Sequence, residues 1–75
     1  MHEKLWRMLP VGIERCVGVG KLAEMTGVPS SRVLDQLREL EPRGARYTTG
    51  EVVNGICRFN HWYREGRRVV IRAAT

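Results

Sequence analysis

Apolar positions recur at a helical period through the first half of the chain and give way to a β-rich texture in the second. Leu5, Trp6 and Leu9 fall on one side of a short helix over residues 2–9, supported by a Glu3 to Arg7 pair one turn apart and ended by Pro10, which disfavours helix at Leu9. The β-branched content of residues 13–17 predicts a short strand, and Gly18-Val19-Gly20 breaks it before the next periodic run. Val19, Leu22 and Ala23, with Met25 or the stem of Lys21, supply the inner stripe of a second helix of about two turns, and Gly27 stands where a helix closes on a positive φ. Pro29 suits the start of a third helix, with Ser30 or Ser31 to cap its free amides. Val33, Leu34, Leu37 and Leu40 then repeat at helical spacing until Pro42 and Gly44 end the run near Glu41. Only residues 26–29 separate the second and third helices, so the two must cross sharply and share one small core with the first.

From Ala45 onward Tyr, Thr, Val, Ile, Phe and Trp dominate, as they do in sheet. Residues 56–63 (ICRFNHWY) and 67–73 (RRVVIRA) read as two strands, with Arg64-Glu65-Gly66 as the tight turn between them. Asn54-Gly55 is a second turn signal; it either closes an earlier hairpin using residues 47–53, giving a three-stranded meander, or ends an irregular loop, and the pattern leaves both open. The hairpin over 56–73 is the reading adopted. The expected fold class is α+β, a three-helix core followed by a C-terminal β-hairpin in a single domain over residues 1–75.

Composition narrows the functions available to such a fold. A 75-residue chain buries only about 60% of the surface its unfolded form exposes, which leaves little room for a deep catalytic cleft. Apolar residues make up 43% and charged residues 28%, and no apolar run approaches the roughly 18 residues of a membrane span, so a soluble protein with no membrane partner is expected. The start, MHEKLWRMLP, carries charges among its apolar positions and lacks the pattern of a signal peptide. Cys16, Cys57, His2 and His61 are singletons without metal-ligand spacing; two reduced, mostly buried thiols and no metal or other cofactor are expected. His61 is expected to be a surface or packed residue.

The net charge of +5 and pI near 10 suit a polyanionic partner, and their distribution is more telling than their sum. Residues 42–75 hold Arg43, Arg46, Arg58, Arg64, Arg67, Arg68 and Arg72 against Glu51 and Glu65, so the positive excess lies in the C-terminal part. Arginine's planar fork suits phosphates and base edges better than an ammonium does.

Leu22, Ala23, Thr26, Gly27, Val28, Pro29, Val33, Leu37 and Leu40 together form the pattern L-A-x-x-T-G-V-P-x-x-x-V-x-x-x-L-x-x-L, which resembles the helix-turn-helix of winged-helix DNA-binding proteins. The resemblance extends to the order of helix, short strand, helix, turn, helix and basic hairpin, and so covers most of the chain. It implies a small bacterial or phage-type transcription regulator, cytoplasmic and nucleoid-associated, that binds double-stranded DNA and no small-molecule substrate. The helix over residues 30–41 would enter the major groove, reading bases through Ser30, Ser31, Arg32, Asp35, Gln36 and Arg38. Asp35 and Glu39 leave that face short of positive charge, so bulk affinity is expected from the wing, with Arg64, Arg67 and Arg68 at its tip and Arg58 and Arg72 further down the strands. The plainer reading of those arginines is a solvated hairpin edge. A domain this small covers few base pairs, which implies a homodimer or another protein partner.

Phe59, Trp62 and Tyr63 are expected in core and hairpin packing rather than stacked on bases, and Trp6 in the core or at a dimer seam. Enzyme readings lack parts: there is no Ser-His-acid set, no phosphate-cradling loop opening a helix and no paired carboxylates in a pocket-forming segment, and Gly18-Val19-Gly20 is a lone G-x-G. Two rival readings remain, a protein-interaction adaptor using the near-neutral third helix, and a single-stranded nucleic acid binder led by the basic aromatic hairpin.

Overall fold

The structure is a computed structural model that describes residues 2–66. Its order is α1 (Glu3–Met8), a 3-10 turn at Ile13–Arg15, β1 (Val17–Gly18), α2 (Val19–Thr26), α3 (Ser30–Leu40), a 3-10 turn at Glu41–Arg43, β2 (Ala45–Val53) and β3 (Ile56–Arg64). The strands form one antiparallel sheet in the order β1-β3-β2, so the chain is α+β as its texture suggests. None of the described helices is long and apolar enough to cross a membrane.

Core positions follow the periodicity. Leu5 and Leu9 from α1 and its end, Leu22 from α2, Val33, Leu37 and Leu40 from α3, and Ala45 and Trp62 from the sheet form one buried cluster. Each fully buried aliphatic side chain here contributes about 1.5–3 kcal/mol through its removal from water. Trp62 is only 1% exposed and ties the helices to the sheet. Its indole N–H donates to the Asn60 side-chain oxygen (3.1 Å), so burial leaves that donor satisfied.

Local chemistry sets the crossing of α2 and α3. The Thr26 hydroxyl donates to the Leu22 carbonyl (2.9 Å) and accepts from the Val28 N–H (3.2 Å), while Gly27 takes φ 74° and donates its N–H to the Ala23 carbonyl. A left-handed residue at this point is what stops α2 after two turns. Thr26, rather than Met25 or Lys21, completes the half-buried side of α2; the latter two are exposed. Ser30 and Ser31 do not cap α3: the N-cap is Pro29, with no side-chain cap bond, and the two serines are the first helical residues.

Two sequence expectations change in the sheet region. The strand expected over 13–17 is reduced to Val17–Gly18, because Gly12 at φ 98° starts a 3-10 turn closed by Arg15 N–H to Gly12 and Cys16 N–H to Ile13. Gly20 does not break the chain there and lies inside α2. The choice left open at Asn54-Gly55 is also decided: the described hairpin is the one that turns there. Asn54 (φ 53°) and Gly55 (φ 82°) join β2 to β3, supplying the two positive φ values of the tight turn whose twist matches the strands. Near Arg64 both edges of β3 are filled, by Ala45 on one side and by Pro10 and Gly12 on the other (Arg64 N–H to Pro10 2.7 Å, Gly12 N–H to Arg64 3.0 Å). The second strand expected, residues 67–73, lies outside the described residues.

Two bulges bend the hairpin. Between the Tyr47–Trp62 and Thr49–Phe59 pairs β3 carries an extra residue, with Asn60 at φ 57°; between Thr49–Phe59 and Glu51–Arg58 the extra residue is Gly50 of β2, at φ 121°. The buried Thr48 hydroxyl accepts the His61 N–H (3.0 Å) that the first bulge takes out of the ladder.

Candidate nucleic-acid interface

The outward side of α3 follows from the same period that buries its core side. With Val33, Leu37 and Leu40 buried, the helical period turns Ser31, Arg32, Asp35, Arg38 and Glu39 outward, and all five are exposed. Ser30 is exposed in the first turn, whereas Gln36 flanks the core and is half-buried. Among the described residues Arg32, Asp35 and Arg38 enter no ion pair, although i, i+3 spacing brings opposite charges within reach on a helix. Glu39 differs: its carboxylate meets His2 Nε2, which pins the start of α1 to the flank of α3.

The arginines of the second half sort differently. Arg43 forks onto Glu3 (2.9 and 3.3 Å) and lies over the Trp6 ring at 4.5 Å. Arg64 also lies over that ring, at 5.1 Å, and its Nε–H donates to the Leu9 carbonyl (3.0 Å). Arg46 donates to the Glu41 and Ala45 carbonyls and pairs with Glu65 at 3.1 Å. Arg43 holds the Glu3 carboxyl below the ordinary carboxylate range, first through the side-chain hydrogen bond. Arg64 therefore sits at the base of the hairpin in an internal contact, and not at a wing tip, because the turn falls ten residues earlier.

The tip that is present has another character. Between Thr49 and Phe59 the charges are Glu51 and Arg58, which face each other in register. Glu51 turns its carboxylate back onto the Thr49 N–H (2.6 Å), a bond that lowers its pKa, and Arg58 is half-buried without an ion pair among the described residues. Val52 is 70% exposed, Phe59 64% and Ile56 52%. Phe59 lies across Gly50, where a Cβ would stand 3.2 Å from the ring, so the glycine leaves room for an aromatic that is then open to solvent. Of the aromatics expected in core and hairpin packing, Trp62 is in the core and Phe59 packs across the hairpin on Gly50 while open to solvent, and the described hairpin offers no basic track for a single strand. Cys57, expected to be buried, is exposed beside Val52, and Cys16 is half-buried. Arg67 and Arg68 lie outside the described residues.

No group of three or more His, Cys, Asp or Glu side chains with metal-holding geometry occurs among the described residues. Of the site residues expected from sequence, α3 gathers Ser31, Arg32, Asp35 and Arg38 on one face and leaves Arg58 and Arg64 on the sheet. The Arg43–Trp6–Arg64 stack and the His2–Glu39 contact join residues 37 to 58 positions apart, and no local spacing announces them. Comparison with family models, curated proteins and solved structures found no match.

Proposed function

We propose that this chain is a winged helix-turn-helix domain that binds double-stranded DNA, with α3 in the major groove and the β2–β3 hairpin as the wing. The element order, the sharp α2–α3 turn and the pairing of β1 onto β3 support that reading of the fold. The observation that carries the function is where the free arginines stand: Arg43, Arg46 and Arg64 are engaged internally and Arg7 pairs with Glu3, whereas Arg32 and Arg38, like Arg15 and Arg58 without an ion pair among the described residues, are exposed together on the outward face of α3. A helix that leaves its guanidiniums unspent on an exposed face is equipped to offer them to base edges or phosphates. Bulk electrostatic attraction is assigned to the C-terminal arginines, Arg67 and Arg68 included, and a second copy doubles the site. Fluorescence anisotropy with mixed-sequence duplex DNA tests this. Binding at about 50 mM salt that weakens steeply as salt rises supports it, and no binding at that salt overturns it.

The exposed Val52–Phe59 region favours a second reading, a protein-interaction adaptor whose contact surface is the hairpin, since aromatic and apolar side chains with little net charge mark the centres of protein interfaces. Under that reading duplex DNA leaves α3 undisturbed, and substitution of Phe59 rather than Arg38 abolishes the interaction.

A further inference from the structure

We propose that Arg32, Asp35 and Arg38 form a reading stripe for guanine–cytosine pairs, with Asp35 selecting a cytosine at one position; the proposal rests on the duplex-DNA reading above. The three residues follow one another at i, i+3 and i+6, which on an α-helix steps about 4.5 Å along the axis each time and keeps all three within the arc opposite Val33, Leu37 and Leu40. The stripe alternates positive, negative, positive. Such a face normally closes on itself through i, i+3 ion pairs, yet none forms here within 4.0 Å among the described residues, and the neighbouring acid Glu39 is already held by His2.

The chemistry of the groove gives each group its counterpart. Guanine presents two acceptors side by side, O6 and N7, which an arginine fork fills with two donated hydrogen bonds. A carboxylate can only accept. Cytosine offers it the N4 amino group without the adjacent N7 acceptor that adenine sets beside its own amino group, so the carboxylate meets a donor and no opposing lone pair. Asp35 also lowers attraction to phosphates at the centre of the face, which costs affinity for every duplex alike and leaves discrimination to the bases. An acid in this place is a liability to a domain that only grips backbone and an asset to one that reads cytosine.

Selection from a pool of randomised duplexes, with the wild type and with Asp35→Asn and Arg38→Ala, tests the assignment. All three positions are exposed, and amide spectra of each variant check that the fold is kept. The wild type is expected to enrich a motif containing C·G pairs. Asp35→Asn is expected to exchange one cytosine for adenine, because an amide matches adenine N6 and N7, with a preference change of roughly tenfold, and to bind the random pool more tightly. Arg38→Ala is expected to relax one guanine. An enriched motif that Asp35→Asn leaves unchanged overturns the stripe while duplex binding stands; no duplex retained by the wild type overturns the duplex reading itself.

Discussion

The outward face of α3 and the β2–β3 hairpin are two exposed surfaces of the described residues, and they use charge in opposite ways. On α3 both arginines are exposed and without ion pairs among the described residues, and the acid nearest the edge contacts His2. On the hairpin Arg46 and Arg64 sit at the base and hold carbonyls, Glu65 and Trp6, while the tip shows Val52, Ile56 and Phe59 beside the single cross-strand couple of Glu51 and a half-buried Arg58. Counting arginines by segment is therefore a poor guide to where positive charge is available: an arginine near a junction of elements is drawn to orphan carbonyls and aromatic faces, and one in mid-helix opposite a core stripe has neither.

Substitutions can break or sharpen this contrast. The largest effect is expected at the shared foundation: Trp62→Ala should cost about 3–5 kcal/mol of stability and loosen both surfaces together, measured by denaturant unfolding. Gly50→Ala comes next. It adds a Cβ 3.2 Å from the Phe59 ring at a φ of 121°, and a loss of about 1–3 kcal/mol is expected, with amide exchange rising in the hairpin and not in α3. The arginine contrast predicts a crossover. Arg64→Ala should cost about 1 kcal/mol of stability and leave duplex affinity within about twofold, whereas Arg38→Ala should be neutral in stability within about 0.5 kcal/mol and weaken duplex binding about fivefold or more.

The smallest effect is in pH. The Glu3 carboxyl is held below its ordinary pKa of 4.5 by Arg43 in the folded state, so its contribution is complete above that value and is lost as pH falls through the lowered one. Acid titration of stability should therefore show a component below about pH 4.5 that Arg43→Ala removes; the same profile in the variant would contradict the assignment.

Much of the helical part is legible in the sequence because its signals are local. The apolar period of α3, Gly27 at the turn and Pro10 after α1 each act within a few residues, and the buried residues Leu5, Leu9, Leu22, Val33, Leu37 and Leu40 are the ones that period selects. The hairpin is less legible because Asn54-Gly55 is equally a hairpin turn and the end of a loop in the sequence. Asn54-Gly55 satisfies two positive φ positions at once, and near Arg64 the edges of β3 are filled by Ala45 on one side and by Pro10 and Gly12 on the other. The bulges at Gly50 and Asn60 shift register by whole residues and decide that Phe59 is exposed while Trp62 is buried, a difference no alternation pattern contains. Within the candidate interface, exposure of Ser31, Arg32, Asp35 and Arg38 was readable from the wheel. Their lack of internal partners, and the capture of Glu39 by a histidine 37 residues away, required the folded chain.

The central claim is that duplex DNA meets α3 and not the hairpin tip, and an amide chemical-shift titration with a mixed-sequence duplex at about 50 mM salt addresses it in one experiment. The account predicts shifts concentrated over residues 30–38 and at Arg67 and Arg68, with little change between Thr49 and Phe59. Shifts confined to the hairpin, or no shifts at all at that salt, would contradict it.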